Sequence, residues 1–169
     1  MKKITVLLLC ALMLVSLVAC GGESDAGNAA SGNVVSDNTV TLDVTAAYEK
    51  LTQAATLPEM LELDAGMMLD YCGIKEADVT AAKVLICADS LRTDEIWLIQ
   101  AKDAAAADTI VKLAEKRLEK KGEESITYSP EQYAVVEKAE LLRQGNFVAL
   151  IVSPDVATLA DAFRQYAGL

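Results

Sequence analysis

Histidine is absent from the whole sequence of 169 residues. Because histidine is the usual general base near neutral pH and the commonest metal ligand, its absence excludes Ser-His and Cys-His catalytic pairs. The sequence also lacks a glycine-rich phosphate loop, a nucleophile elbow, a Ser-x-x-Lys motif and an EF-hand loop. We therefore predict a protein that is not an enzyme and that has no cofactor, no metal site and no catalytic residue.

Basic residues are scarce as well. The chain has 15 Lys and Arg against 25 Asp and Glu, which gives a net charge of −10. Nucleic acids and anionic lipid headgroups are bound by clustered Lys and Arg. This balance argues against both as partners and indicates a soluble domain that repels other anionic material.

Cysteine occurs at four positions, none of them in a C-x-x-C motif or a metal-type cluster. Two of these, Cys72 and Cys87, lie beyond the first twenty residues and are separated by fourteen residues. Outside the cytoplasm such a pair can form a disulfide. The alternative, which we favour, is two buried, unpaired thiols that pack as small hydrophobic side chains.

The N-terminus is the most informative segment. Two lysines follow the first residue, and an apolar run of fifteen residues extends from Ile4 to Val18. This layout is typical of a secretory signal peptide, and it is shorter than the roughly 20 apolar residues that a membrane-spanning helix needs. We expect residues 1–19 to be a signal peptide that is cleaved, with an uncleaved anchor as the alternative.

The cleavage point is expected before Cys20. This cysteine follows the small Ala19 and precedes two glycines, whereas Cys10 lies inside the apolar run. The Leu-Val-Ala-Cys sequence resembles the lipobox of bacterial lipoproteins, in which the cysteine receives a diacylglyceryl group. Stable anchoring needs more than one acyl chain, and a doubly acylated Cys20 would supply it. An ordinary cleaved leader without lipid is the alternative.

Residues 20–41 are rich in Gly, Ser, Asn and Ala and contain little to bury. They are expected to form a lipidated flexible tether, about 65 Å long when fully extended. Cleavage after residue 19 would remove two lysines, so thirteen basic and twenty-five acidic residues would remain and the net charge would be −12. We expect the protein to be lipid-anchored at the outer side of the cytoplasmic membrane.

Residues 42–169 are expected to form a single globular domain. Asp43 is a candidate N-cap for a helix that Leu57-Pro58 ends. A second short helix is predicted over residues 59–63 or 66–71, ended by Gly73. Two apolar runs at residues 83–88 and 95–100 predict a hairpin.

A long helix should follow that hairpin, starting at Asp103 and ending near Lys121 at Gly122. Ser129-Pro130-Glu131-Gln132 matches a capping box and predicts a helix to about Lys138. Strands are expected at residues 139–144 and 147–152, and Ser153-Pro154 should open the last helix. The fold class is therefore α+β, with a four-stranded, mostly antiparallel sheet made of two hairpin-then-helix units and the helices packed on one face.

Carboxylates offer the main alternative chemistry. Acidic residues are densest in segment 59–78, where they could hold Ca²⁺ or supply an acid/base pair. They alternate with apolar residues, as the solvated face of an amphipathic stretch does, and we favour that interpretation. The acidic positions are Glu59, Glu62, Asp64, Asp70, Glu76 and Asp78.

The remaining chemical candidates are weaker. The spacing of Met60, Met67 and Met68 with leucines indicates core packing rather than a metal or binding surface. Trp97 lies in an apolar strand and is expected in the core. Cys72 would need nearby positive charge to act as a nucleophile, and Lys75 is the local candidate.

Several short motifs resemble those of a family of short bacterial lipoproteins that share a domain of unknown function, number 4358. They span about residues 44–166 and, with the Cys20 lipobox, are Leu57-Pro58-Glu59-Met60, Tyr71 with Gly73-Ile74, Asp94-Glu95-Ile96, Lys102, Pro130-Glu131-Gln132-Tyr133 and Gly145-Asn146-Phe147. In this family Tyr-Gly-Ile is usually continuous, whereas here Cys72 separates Tyr71 from Gly73. The family has no established activity, so the resemblance implies class and location and transfers no catalytic residue.

The leading hypothesis is a non-enzymatic lipoprotein domain that binds or supports another envelope component. Its contact with the membrane is through lipid on Cys20, its partner is an unidentified envelope protein, and nucleic acid is not a partner. The alternative is a small extracytoplasmic enzyme or metal-binding protein that uses the carboxylates of segment 59–78. A transporter's substrate-binding lipoprotein is disfavoured because such proteins need two lobes around a cleft.

Overall fold

The computed structural model describes residues 41–169, and the expected signal peptide, Cys20 and the tether up to residue 40 lie outside the described part. Within it, no helix combines the length and the apolar character needed to cross a bilayer. The helices are α1 (Val44–Ala54), α2 (Ala65–Met67, continued by a π-helical turn over Met68–Cys72), α3 (Ala104–Tyr128), α4 (Pro130–Glu137) and α5 (Val156–Ala167). The strands are β1 (Met60–Glu62), β2 (Val79–Cys87), β3 (Glu95–Ala101), β4 (Glu140–Gln144) and β5 (Phe147–Val152), with a 3-10 turn over Glu76–Asp78.

The five strands form one antiparallel sheet in the order β1-β2-β3-β5-β4. Both predicted hairpins are confirmed, and the two are joined where β3 pairs with β5. The expected strand number of four is wrong because β1 pairs with β2 at the edge of the sheet. A strand of three residues is too short to show the alternation of apolar and polar side chains that indicates a strand. The sequence of residues 59–63 therefore predicts a short helix instead.

Of the two positions predicted for the second helix, the one over residues 66–71 is confirmed. Its helical residues run from Ala65 to Cys72 and end at Gly73, which adopts a positive φ of 74°. Glycine tolerates this left-handed conformation without a Cβ clash. Asp64 caps the helix, with its Oδ1 accepting from the Met67 amide at 2.8 Å.

Helices cover both faces of the sheet, so the prediction that they pack on one face is wrong. Strands β3 and β5 are buried at every position, and a strand buried on both sides needs a layer on each side. One core cluster joins α3 to Val84, Trp97 and Val148, and the other joins α1 and α5 to Leu85, Leu98 and Ala149. A two-fold axis normal to the sheet would place the helices of the two hairpin-helix units on the same face. Because α3 and α5 lie on opposite faces, no such axis relates the two units.

Helix α3 begins where the sequence predicts and continues further than expected. The Asp103 side chain accepts from the Ala106 amide at 2.7 Å and caps its N-terminus. The helix passes through Gly122 and ends at Tyr128, so the prediction that Gly122 ends it is wrong. A glycine inside a helix costs about 1 kcal/mol relative to alanine, and here Lys121 and Ser125 on either side are buried, so tertiary packing sustains the helix.

Candidate functional site

A cleft of about 880 Å³ opens where β2 ends and β3 begins. Its walls are the loop between these strands, the second half of α3 and the start of α4. The lining side chains come mainly from these three segments: Leu61, Ile86, Cys87, Ala88, Ser90, Leu91, Arg92, Thr93, Asp94, Arg117, Lys121, Glu124, Ser125, Tyr128, Ser129 and Gln132. Cavities of this size are typical of ligand sites.

A buried ion cluster lies at the floor of the cleft, centred on Glu95. Arg117 holds its carboxylate with two forked bonds, Nε to Oε1 at 3.1 Å and Nη2 to Oε2 at 3.0 Å. Lys121 Nζ lies 2.9 Å from Oε2, and the Trp97 indole N–H donates to Oε1 at 2.7 Å. Glu95 has no solvent-exposed surface, so this charge depends entirely on protein partners.

Electrostatics keep the Glu95 cluster ionised. Burial alone would raise the pKa of Glu95, but the ammonium of Lys121 and the guanidinium of Arg117 outweigh it and lower that pKa below its ordinary value. Burial works against the charge of Arg117 too, and its bonds to Glu95 raise its pKa nonetheless. A carboxylate fixed in its charged form between two cations does not take up protons near neutral pH.

A second set of contacts fixes the loop that forms the cleft wall. Arg92 makes a forked pair with the buried Asp94, with Nε to Oδ2 at 2.9 Å and Nη2 to Oδ1 at 3.1 Å. Gln132 Oε1 accepts from the Thr93 amide at 2.9 Å and from the Thr93 hydroxyl at 3.0 Å. Lys121 Nζ donates to the Thr93 carbonyl at 2.9 Å. The loop is therefore tied to both α3 and α4.

The capping box that the sequence predicts is confirmed in its first half. Ser129 Oγ accepts from the Gln132 amide at 3.3 Å and caps α4, with Pro130 in the first helical position. The Gln132 side chain bonds to Thr93 rather than to the backbone of its own cap. Its role is thus to connect α4 with the cleft wall.

The rim of the cleft is apolar and exposed. Leu91 is 82% exposed and Tyr128 is 88% exposed, and the outward side chain of Leu61 on β1 extends the same rim. Large apolar side chains that gather around a concavity mark contact sites more often than scattered ones do. The cleft therefore combines an ionic floor with an apolar edge.

The acidic residues of segment 59–78 do not converge. Glu62 pairs with Lys83, Asp78 pairs with Lys102 at 2.8 Å, and Asp64 caps α2. Glu59, Asp70 and Glu76 are exposed. Within residues 41–169, no group of three or more potential metal ligands lies close together.

The other predicted residues occupy the core. Trp97 and Met68 are buried, and Met60 and Met67 are half-buried against the core clusters, so their predicted packing role is confirmed. Cys72 and Cys87 are buried and unpaired, as favoured from the sequence. Burial, with the Glu95 charge nearby, raises the pKa of the Cys72 thiol to about 12, which is the opposite of what a nucleophile needs.

Sequence reasoning missed the floor of the cleft. A signal for it exists in α3, because Arg117 and Lys121 continue the spacing of the buried residues Ala107, Ile110 and Ala114. Charged residues at core positions of a helix stripe indicate a buried partner of opposite charge. Of the motif residues that carry the family resemblance, Asp94 and Gln132 line the cleft and Glu95 lies beneath it.

Comparison with protein families gives a match that covers the sheet. The model of the family described as Domain of unknown function (DUF4358) matches residues 53–153, more than half of the chain. No curated protein and no solved structure matches. The matched residues include β1 to β5 and so contain the whole sheet and all three segments that form the walls of the cleft. The chain belongs to the DUF4358 family.

Proposed function

We propose that this protein is a non-enzymatic binding domain, held at the outer side of the cytoplasmic membrane by lipid on Cys20. The observation that carries the proposal is the cleft between the β2–β3 loop and helices α3 and α4, with its exposed apolar rim. The apolar surfaces of Leu91 and Tyr128 are exposed to water, which is unfavourable, and a bound partner that covers them would gain hydrophobic stabilisation.

The chemistry of the floor supports binding over catalysis. Glu95 is occupied by Arg117, Lys121 and Trp97, and Asp94 is occupied by Arg92. A general base needs a free lone pair within reach of substrate. The Cys72 thiol, with its pKa raised to about 12, is protonated at neutral pH.

The placement of the described N-terminus also supports this function. The Leu42 amide donates to Gln100 Oε1 at 3.1 Å, and the Asp43 amide donates to the Tyr166 hydroxyl at 3.1 Å. Gln100 and Glu95 lie at opposite ends of β3, about 17 Å apart at the rise of a strand. If the tether continues from residue 41, the cleft lies at the end of the sheet that is farther from the attachment point.

Site-specific photocrosslinking in intact cells tests the proposal. A benzophenone amino acid is placed at Leu91, at Tyr128 or at the control position Gln53, which is exposed on α1 across the sheet. We expect the same adduct from the first two positions and none from the control. Equal adducts at all three positions, or none at the rim, would contradict a cleft that binds a partner.

Protease added to spheroplasts, whose cytoplasmic membrane is intact and whose outer layers have been removed, tests the location in the same strain. In the spheroplasts we expect the protease to digest the wild-type chain while a cytoplasmic marker protein stays whole. A chain that survives until the spheroplasts are lysed would contradict the proposed location.

A further inference from the structure

The two carboxylates beside the cleft are already engaged by cations and are buried. Both oxygens of Glu95 accept from Arg117, and Trp97 and Lys121 add further contacts. Both oxygens of Asp94 accept from Arg92, and the Asp94 side chain is nearly fully buried. These groups therefore offer a ligand little capacity to accept hydrogen bonds.

Donor capacity, in contrast, is left over. Gln132 Oε1 accepts from the Thr93 backbone N–H, and this bond fixes the orientation of the Gln132 side-chain amide. The Nε2 group of that amide is therefore the one that can donate to other partners. Within residues 41–169, Nε2 of Gln132 makes no hydrogen bond, and neither does Nη1 of Arg92 or of Arg117. Lys121 Nζ uses two of its three protons.

These spare donors are reachable by solvent. In the described part of the chain, no buried side-chain nitrogen or oxygen lacks a hydrogen-bond partner. The unpaired nitrogens of Gln132 and Arg117 are therefore not sealed in the core, Arg92 is itself exposed, and all three residues line the cleft. Glu124 also lines the cleft, but it is exposed and pairs with Lys120 at 3.8 Å, so water screens its charge.

We propose that the cleft binds an apolar molecule that ends in a carboxylate. The carboxylate accepts from Gln132 Nε2 and the nearby cationic donors, and the apolar body lies against Leu61, Leu91 and Tyr128. Charge-assisted bonds from Arg or Lys to a carboxylate are the strongest that side chains form. A free fatty acid and the C-terminus of an apolar peptide both present this chemistry.

The substitution Gln132→Glu isolates the proposed contact. It keeps an oxygen for the Thr93 amide and hydroxyl and replaces only the spare donor Nε2 with a second carboxylate oxygen. Gln53→Glu makes the same chemical change on exposed α1, across the sheet from the cleft. The protein used is the chain from residue 20 with Cys20→Ser, which keeps the whole described domain without lipid.

Isothermal titration calorimetry is carried out with decanoate, decanol and decyltrimethylammonium below their micelle concentrations. A second arm uses an apolar tripeptide with a free C-terminus and the same peptide as its amide. We expect saturable binding of decanoate or of the free-acid peptide, at least tenfold tighter than the uncharged counterpart. Gln132→Glu should weaken that binding at least tenfold, and Gln53→Glu should leave it unchanged.

The arm that binds identifies the source of the carboxylate, a fatty acid or a peptide terminus. Equal binding of decanol, tighter binding of the cationic probe, no binding of either acid, or an unchanged affinity in Gln132→Glu would each overturn the proposal. The inference rests on the proposed binding function. Failure here together with rim-specific crosslinks in cells would refute the ligand class alone, whereas absence of both would refute the binding function.

Discussion

Replacing Glu95 with glutamine tests whether the floor of the cleft is held by charge. The variant keeps the shape of the side chain and leaves Arg117 and Lys121, whose side chains are only 13% and 11% exposed, without their shared counter-charge. Removing one partner of a buried ion pair costs about 3–5 kcal/mol. Because glutamine retains one acceptor oxygen and both cations keep some contact with water, we expect a loss of about 3 kcal/mol.

Urea denaturation, followed by fluorescence of the single tryptophan, measures this loss. With a slope of about 2 kcal/mol/M, the midpoint should fall by about 1.5 M. The matched control is Glu62→Gln, since Glu62 is 53% exposed and pairs with Lys83 at the surface, where a pair is worth about 0–1 kcal/mol. A Glu95→Gln variant that loses no more stability than the control would refute the ion-cluster argument.

The pH dependence gives an independent check on Glu95. Its pKa in the folded protein is lowered, by Lys121 and Arg117 acting against burial, so the unfolded chain takes up the proton first as the pH falls. This stabilisation is therefore complete above the ordinary glutamate pKa and is lost as the pH falls through the lower, folded value. Glu95→Gln should lose less stability than the wild type between pH 5 and the acid limit of folding.

Three further substitutions test other parts of the account. The pKa of Cys72 is raised to about 12 by burial and by Glu95. The wild type should therefore lose about 1.4 kcal/mol of stability per pH unit above 9.0 relative to Cys72→Ala. If the difference in urea midpoint between the two proteins is the same at pH 8 and at pH 10.5, this prediction is contradicted. Gly73→Ala should lower the free energy of unfolding by about 1–2 kcal/mol because residue 73 has a positive φ. Thermal melts measure this loss, and the control Gly66→Ala, inside α2, should show no decrease in melting temperature. Ser129→Ala removes the cap of α4 and should cost about 1 kcal/mol in chemical denaturation, and the exposed Ser90→Ala should change stability by less than about 0.5 kcal/mol.

Local signals in the sequence predict the ends of most elements. Asp43, Asp103 and Ser129 each accept backbone hydrogen bonds at the start of the helix that they were expected to cap. Gly145 adopts a positive φ of 59° in the tight turn between β4 and β5. These features depend on residues a few positions apart, so a single sequence contains the information that specifies them.

The errors concern long-range packing. Glycine disfavours the helix at position 122, but burial of Lys121 against the sheet outweighs that preference. The apolar run of β5 is continuous, and such a run requires cover on both faces of the sheet, which the expected packing on one face does not provide. Glu95 and Lys121 are far apart in the chain, and only the fold brings their charges together.

The proposed function at the membrane depends on Cys20 being the acylated first residue of the mature protein. Mass spectrometry of the N-terminal peptide from the native protein measures this directly. The account predicts a peptide that begins at Cys20 and carries the added mass of a diacylglyceryl group. A peptide that retains residues 1–19, or one that begins elsewhere with Cys20 unmodified, would contradict it.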